Sequence, residues 1–340
     1  MEEAVFLSHD VADHASMSEY VDAVRNGYRQ RGEGAPTKPR TSLKSEGLNG
    51  LLTTYITMLP DTGVMGGYVY DSGFSDDDAR FVTPLFDAES GKVLAILDGA
   101  SMNPFKTGAA GGAAIDALAR EDASTLGIIG SGAQARGQLR GAVEVREFDE
   151  VTVFSPTQSH RERFATEMSE ALGVDVTPVD SSGAAAADAD VLITATNTSE
   201  PVVAAEDIEP GTHINAIGVY DPEKRELDTE TVANATYVPD LRERLHQDSG
   251  EFLIPLEEGA ITEDHVHGEL GEVIAGVVPG RQRDDELTIF DSGGTAIETV
   301  ASAAMLYRKA ADRGLGTELR FSSANETFTE YDASHRDVSE

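Results

Sequence analysis

One stretch, Thr125–Arg140 (TLGIIGSGAQARGQLR), constrains the fold of this chain more than any other. A short apolar run ends in a glycine turn, and helix-forming residues follow directly. Gly130 allows the turn, Gly132 leaves the backbone open to a pyrophosphate, and Ala135 suits close packing of helix on strand. The free N–H groups of the helix would face the phosphates. The stretch predicts a dinucleotide-binding turn with these residues at the cofactor: Gly130, Ser131, Gly132, Ala133 and Gln134.

The chain follows different patterns before and after this stretch. From residue 124 onward short strands alternate with helices, which is typical of a doubly wound parallel sheet. The earlier part has strands separated by turns, as in an antiparallel sheet, and ends in an Ala/Gly-rich helix predicted over Phe105–Arg120. Gly32–Pro39 is interpreted as a loop that delivers Arg40. A helix over Thr295–Arg313 would lead back to the first part, so the 340 residues indicate two domains of an α/β protein.

The charge of the chain excludes several classes of partner. The 61 Asp and Glu residues outnumber the 26 Lys and Arg residues, for a net charge of −35, which argues against nucleic acid and anionic membranes. Because the acidic residues are spread along the chain, we interpret them as adaptation to a high-salt cytoplasm, with an acidic mesophilic protein as the alternative. With no cysteine, no signal peptide and no apolar run of membrane-spanning length, a cytoplasmic protein is expected.

Several blocks of sequence together resemble one family. They are GIIGSGAQA (127–135), ATNTSEPVV (195–203), GTHINAIGVYDPEKRELD (211–228), GELGEVIAG (268–276) and TIFDSGGTAIE (288–298). In order and spacing they are similar to the ornithine cyclodeaminase/mu-crystallin family, from about residue 5 to about residue 320. The resemblance implies a homodimer that binds NAD(P) and acts on small α-amino or α-imino acids. Some members cyclise ornithine, others are alanine dehydrogenases or ketimine reductases, and mu-crystallin also binds thyroid hormone.

The resemblance also implies a division of the chain into a Rossmann domain and a discontinuous α+β domain. The expected boundaries are 1–119 with 314–330 for substrate binding and dimerisation, 120–313 for the Rossmann domain and 331–340 for a flexible tail.

Two cations are the expected substrate anchors. Arg40 matches the family's carboxylate-binding arginine, and a guanidinium can hold a carboxylate through two parallel hydrogen bonds. A second family arginine is matched by Lys106, which keeps the charge but loses the planar fork. Lys106 is therefore a candidate both for substrate binding and for catalysis.

Two other family positions are changed in this chain. The family's catalytic lysine is matched by Tyr68 or Met65, depending on the alignment of GVMGGYVY. The family's aspartate, two residues after Gly218, is matched by Tyr220, so Asp221 is either a displaced acid or a turn residue. Tyr68, Tyr220 and Asp221 join Lys106 as candidate catalytic residues.

The end of the second Rossmann strand bears on the choice of cofactor. An NAD site usually has a carboxylate there for the ribose 2′-hydroxyl. This strand is instead followed by Ser155, Thr157 and Arg161, which would tolerate a 2′-phosphate, so the sequence favours NADP(H), with NAD(H) as the alternative. His265 and His267 lack supporting carboxylates, and we predict no metal site. The resemblance adds further cofactor-binding positions: Thr196, Asn197, Gly218, Ser292 and Gly293.

These observations predict an NAD(P)-dependent oxidoreductase of small amino or imino acids, as a ketimine reductase or alanine dehydrogenase. Hydride transfer needs a carboxylate anchor and one proton donor, because the cofactor carries the difficult step. Two alternatives stay open. One is an ornithine cyclodeaminase with an altered site, which would release ammonia, and the other is a non-catalytic NADPH-binding protein like mu-crystallin.

Overall fold

The computed structural model describes residues 2–74 and 79–324, and the predicted tail lies outside them. These residues form two seven-stranded sheets and the helices that cover them. The strands are β1 (Glu2–Leu7), β2 (Thr37–Lys44), β3 (Leu51–Leu59), β4 (Val64–Ser72), β5 (Phe81–Asp87), β6 (Val93–Asp98), β7 (Thr125–Ile129), β8 (Glu150–Phe154), β9 (Val176–Pro178), β10 (Val191–Thr194), β11 (His213–Ala216), β12 (Thr236–Pro239), β13 (Thr288–Asp291) and β14 (Thr317–Phe321). The helices are α1 (Met17–Gly32), α2 (Gly99–Leu118), α3 (Ala133–Val145), α4 (Gln158–Leu172), α5 (Ser182–Ala186), α6 (Thr229–Asn234), α7 (Leu245–Asp248), α8 (Gly250–Glu257), α9 (Leu270–Ile274) and α10 (Ala296–Arg313).

The first sheet has the strand order β14-β1-β6-β5-β4-β3-β2. Its strands are antiparallel except for the parallel pair β1 and β6. In β3 the alternation buries Tyr55 and Leu59, while Ile56 and Met58 point to the other face and are exposed. Helix α10 packs on β3 and β4 and against α1, so the C-terminal part of the chain does return to this sheet. The domain boundaries themselves stay predictions.

The segment before Arg40 differs from its prediction as a loop. Strand β2 covers Thr37–Lys44 and carries Arg40 within it. The pairing of β2 with β3 shifts register between Lys38 and Thr41, which places Arg40 at a bulge. A bulge redirects a side chain relative to the regular alternation. Sequence pattern missed this strand because its residues are mostly polar and include Pro39, and both features are typical of loops.

The second sheet is fully parallel, with the order β12-β13-β11-β10-β7-β8-β9. It is the predicted doubly wound sheet. From β7 the chain adds β8 and β9 on one side, and it then returns to place β10 on the other side of β7. The point between β7 and β10 is therefore the topological switch point, where open α/β sheets bind their ligands.

Helix α2 joins the two sheets and packs backbone to backbone against α3. It starts at Gly99, six residues earlier than predicted, where the Asp98 side chain accepts a hydrogen bond from the backbone N–H of Ala100. A Cβ added to Gly108 would lie 2.0 Å from the carbonyl oxygen of Gly137, and one on Gly137 would lie 2.1 Å from that of Pro104. The small residues of α2 thus let α3 pack directly against its backbone. Within the described residues, no helix is both long and apolar enough to cross a membrane.

Candidate active site

A cavity of about 1150 Å³ opens at the carboxyl ends of the parallel strands, between the two sheets. One side is formed by the loops after β7, β8, β10, β11 and β13 of the second sheet. The other side is formed by β2, β3, β4, β5 and the first turns of α2. This volume slightly exceeds the roughly 300–1,000 Å³ of ordinary ligand pockets, so it is large enough for a cofactor and a small substrate together.

The glycine turn lies in the cavity wall and fits a pyrophosphate. Gly130 has φ +125°, and a Cβ there would lie 2.3 Å from the carbonyl oxygen of Ala195, so glycine is required. A Cβ on Gly132 would have no atom within 4 Å, which leaves open space beside the backbone. Gly132 is also the N-cap of α3, and no side chain caps the helix there. The N–H groups at the N-terminus of α3 are therefore available to an anion. The remaining predicted residues of the turn also line the cavity: Ser131, Ala133 and Gln134.

A buried carboxylate that the sequence analysis did not single out joins two cofactor-side loops. Glu226 accepts hydrogen bonds from the backbone N–H of Thr196 at 2.7 Å and from that of Gly218 at 2.8 Å. It also accepts from the hydroxyls of Thr194 and Thr196. Burial raises the pKa of Glu226, while these hydrogen bonds oppose the shift. The predicted residues Thr196, Asn197 and Gly218 all line the cavity, and Glu226 fixes the position of two of them.

The end of β8 places the predicted 2′-site residues at the cavity edge. Ser155 is buried and lines the cavity. Arg161 lies just outside the wall, where its Nη1 donates to the carbonyl oxygen of Ser155 at 3.1 Å and its Nη2 to the exposed carboxylate of Asp180 at 2.6 Å. Thr157 is the N-cap of α4, makes no capping hydrogen bond, and is also outside the wall.

Arg40 lies between the two sheets, at the end of the cavity opposite the predicted 2′-site residues. Its Nη1 donates to Oδ2 of Asp248 at 2.7 Å, and its Nη2 donates to the carbonyl oxygen of Gly293 at 2.5 Å. Its guanidinium also covers the ring of Tyr220, 4.6 Å from the centroid. The predicted residues Ser292 and Gly293 line the cavity beside it.

Lys106 is buried at the cavity end lined by aromatic rings. Its Nζ lies 3.4 Å from Oε1 of Glu298 and 5.3 Å from the ring centroid of Tyr68. Burial lowers the pKa of Lys106, and the Glu298 carboxylate opposes that shift. The Tyr68 ring stacks on Phe81, and its hydroxyl donates to the carbonyl oxygen of Gly99 at 2.9 Å. Burial raises the pKa of Tyr68 well above its ordinary value.

The two candidates after β11 lie in different places. Tyr220 is 55 % exposed at the cavity mouth. Asp221 lies outside the cavity wall, where it accepts a hydrogen bond from the backbone N–H of Glu223 at 3.0 Å and faces Lys224 at 3.7 Å. These contacts are those of a turn residue, which is one of the two interpretations that the sequence left open for Asp221.

A buried cluster of charges beneath Arg40 was missed by the sequence analysis. Arg244 contacts Asp240, Asp248 and Asp291, with N···O distances of 2.6, 3.0 and 2.6 Å. Burial raises the pKa of Asp240 to about 6, although the charge of Arg244 opposes that shift. The i, i+4 spacing of Asp240, Arg244 and Asp248 is the signal that could have identified part of this cluster.

The two histidines considered for metal binding have other partners. Nε2 of His265 contacts the carbonyl oxygen of Val232 and that of His267 contacts the carbonyl oxygen of Pro279, each at 2.8 Å. Across residues 2–74 and 79–324, no group of three or more His, Asp or Glu side chains is arranged to hold a metal ion.

Comparison with known proteins places this geometry among nicotinamide-dependent enzymes. The family model described as ornithine cyclodeaminase/mu-crystallin matches residues 1–314. A Δ1-pyrroline-2-carboxylate reductase of Bacillus cereus (strain ZK / E33L) is 33% identical over 278 residues, which is 82% of each chain.

Two solved structures have the same fold over nearly the whole chain. The Δ1-pyrroline-2-carboxylate reductase of Thermococcus litoralis, in complex with NADH and L-proline, has a TM-score of 0.87 and 36% identity, covering 92% of this chain and 99% of its own. An archaeal alanine dehydrogenase dimer with bound NAD has a TM-score of 0.88 and 34% identity, covering 94% of this chain and 100% of its own.

Proposed function

The chain belongs to the ornithine cyclodeaminase/mu-crystallin family, and we propose that within it this protein reduces the ring imine Δ1-pyrroline-2-carboxylate to proline. It is an NAD(P)-dependent oxidoreductase of small α-amino and α-imino acids, the class of its reductase and dehydrogenase relatives. The observation that carries the proposal is the joint presence of Arg40 and Lys106 in one cavity with the glycine turn. An anionic ring imine meets a carboxylate anchor and a proton donor there.

Each cation has a distinct role in the proposed reaction. The glycine turn and the loops that Glu226 joins would hold the dinucleotide, which would supply the hydride for the imine carbon. Arg40 binds the carboxylate and fixes the orientation of the ring. Lys106 donates a proton to the imine nitrogen, and its lowered pKa makes it a better acid than an ordinary lysine. Glu298, 3.4 Å away, stabilises the charged form that carries this proton.

The two tyrosines are better suited to shaping the cavity than to donating the proton. The Tyr68 hydroxyl already donates a hydrogen bond to a backbone carbonyl, and the raised pKa of Tyr68 disfavours loss of the proton. Tyr220 is at the mouth, where its ring supports the guanidinium of Arg40. We therefore favour Lys106 as the donor among the four candidates.

NADP(H) is the cofactor we propose, although the solved relatives hold NAD or NADH. Support comes from the end of β8, where Arg161 lies next to Ser155 and its ion pair with Asp180 reaches solvent. Asp180 is almost fully exposed, so its pairing with Arg161 is screened by solvent and would compete weakly with a 2′-phosphate.

We also propose a homodimer formed through the outer face of the first sheet, in keeping with the dimer of the archaeal alanine dehydrogenase. Strand β3 presents Leu52, Ile56 and Met58 on that face, the adjacent β2 adds Leu43, and β5, two strands away, adds Val82. All five side chains are at least 39 % exposed in the single chain. Several exposed apolar side chains on one sheet face are typical of a protein interface.

A high-salt cytosol is the proposed setting, as the net charge of −35 favours. Raising the salt concentration from 0.1 to 1 M shortens the Debye length from about 10 Å to about 3 Å, which weakens repulsion between the carboxylates. The midpoint of thermal unfolding should therefore rise between 0.1 and 2 M KCl. An unchanged midpoint would indicate an acidic protein of ordinary cytoplasm.

The function is tested by nicotinamide absorbance at high salt. NADPH and NADH are each assayed with Δ1-pyrroline-2-carboxylate and with pyruvate plus ammonia, and ammonia release from ornithine is measured in parallel. Faster oxidation of the nicotinamide with the ring imine than with pyruvate plus ammonia supports the proposal. Faster oxidation with pyruvate plus ammonia would make the protein an alanine dehydrogenase. Ammonia release without net nicotinamide oxidation would make it a cyclodeaminase. No turnover with tight NADPH binding would make it a binding protein.

A further inference from the structure

A buried arginine, Arg244, ties together the two groups that hold the guanidinium of Arg40. Arg40 donates through Nη1 to Oδ2 of Asp248 at 2.7 Å and through Nη2 to the carbonyl oxygen of Gly293 at 2.5 Å. Nη1 of Arg244 donates to the other carboxylate oxygen of Asp248 at 3.0 Å. A Cβ on Gly293 would lie 2.9 Å from the same Nη1, so the backbone of Gly293 passes directly over Arg244.

Arg244 is itself fixed from two further directions. Its Nε donates to Asp240, which follows β12, and its Nη2 donates to Asp291, the last residue of β13, each at 2.6 Å. The second oxygen of Asp291 accepts hydrogen bonds from the hydroxyls of Tyr237 at 2.5 Å and Ser249 at 2.6 Å. A planar guanidinium with a fixed set of donors holds three carboxylates from separate segments in one arrangement.

Arg40 keeps donors for a ligand after these contacts are made. Its Nε–H is buried and has no hydrogen-bond partner within residues 2–74 and 79–324, and the residue lines the cavity. Arg40 belongs to the first sheet, whereas Asp248 and Gly293 belong to the second half of the chain. The orientation of the substrate anchor is therefore set from across the cleft.

We infer that Arg244 is a positioning residue for carboxylate recognition: it holds Asp248 and the Gly293 backbone where they aim Arg40 at the ligand. The inference rests on the proposed function only in that the ligand is a small ring carboxylate. A purely structural role for Arg244 would lower stability and affect all ligands alike. A positioning role affects ligands that carry a carboxylate and spares those that do not.

The test uses two substitutions that keep the local charge. Arg244→Lys retains the cation but loses the planar fork, and Asp248→Glu retains the anion but lengthens the arm that reaches Arg40. Glu263→Asp, which keeps its charge at an exposed position 3.2 Å from His246 of α7, is the matched control. The probes are pyrrole-2-carboxylate and its uncharged amide, pyrrole-2-carboxamide, each titrated into the full chain with saturating NADPH.

We expect wild-type protein to bind the carboxylate at least tenfold more tightly than the amide. Both substitutions should weaken carboxylate binding about tenfold or more, while amide and NADPH affinities stay within twofold. The KM for the ring imine should rise in parallel. An unchanged carboxylate affinity in either folded variant, or an equal loss for carboxylate and amide, would overturn the inference. Carboxylate binding that depends on Arg244, without imine reduction by the wild type, would instead overturn the proposed function alone.

Discussion

Nζ of Lys106 lies 3.4 Å from the carboxylate of Glu298, and both side chains are almost completely buried. Glu298 is the third residue of α10 and also caps that helix by accepting from the backbone N–H of Thr295. A buried ion pair of this kind gives weak evidence for stability, because desolvation offsets the attraction. Lys106 lines the cavity beside the Tyr68 ring, which is the position that the proposed proton donor requires.

Replacing Lys106 should therefore impair the chemical step. We expect Lys106→Met to lower kcat for the ring imine about 100-fold or more, the usual contribution of a general acid, with NADPH affinity unchanged. Lys106→Arg keeps a positive charge in the cavity but holds its proton too tightly, so KM should be kept and kcat lost. Steady-state kinetics and NADPH fluorescence give these values. Lys92→Met, at an exposed position, is the control, and a kcat near wild type in Lys106→Met would remove Lys106 as the donor.

A second prediction concerns the 2′-phosphate. Arg161→Gln should raise the Kd for NADPH about tenfold and leave that for NADH unchanged, because a hydrogen bond to a charged group contributes roughly 1.5–3 kcal/mol. Arg163→Gln, an exposed arginine on the same helix, controls for the loss of one positive charge. Fluorescence titrations at matched salt measure both constants. Wild-type protein that binds NADH as tightly as NADPH contradicts the prediction.

The proposed dimer depends on the outer face of the first sheet. Ile56 is 54 % exposed there, so Ile56→Glu should leave the monomer folded but place paired charges in the interface. Light scattering after gel filtration should give a dimer for wild type and a monomer for the variant. Val277→Glu, at an exposed position in the segment after α9, should stay dimeric. A dimeric Ile56→Glu protein would place the interface elsewhere.

The sequence predicted the strand–turn–helix geometry at Gly130 because its determinants are local. Gly130 and Gly132 act within one strand–turn–helix unit, so their spacing alone carries the geometry. Arg40 lines the cavity, and its role as substrate anchor stays a prediction. Its strand was missed because a polar edge strand is defined by its pairing with β3.

The Arg244 cluster could not be predicted as a whole. Asp291 joins it from a separate strand, and only the adjacency of β12 and β13 brings that carboxylate to Arg244. The partnership of Lys106 with Glu298 is equally non-local, since 192 residues separate the two. Such contacts follow from the folded arrangement of the sheets, which no spacing in the sequence encodes.

The buried His213 makes stability depend on pH. Its ring nitrogens contact Thr288 at 2.9 Å and Asn215 at 3.0 Å, and burial lowers its pKa from 6.5 to about 3. Between these two values the unfolded chain binds a proton that the folded protein does not. The free energy of unfolding should therefore fall as the pH falls below 6.5, by up to about 1.4 kcal/mol per pH unit from this residue.

Asp240 acts in the opposite sense over part of the same range. Its folded pKa of about 6 lies above the ordinary 3.8, so the folded state takes up that proton first and gains stability as the pH falls between these values. The two effects are separated by comparing wild type with His213→Gln, which removes only the first. Urea unfolding at constant high KCl, from pH 7.5 to 4.5, should show a steeper loss of stability in wild type than in the variant. Parallel curves would mean that His213 has the same proton affinity in both states.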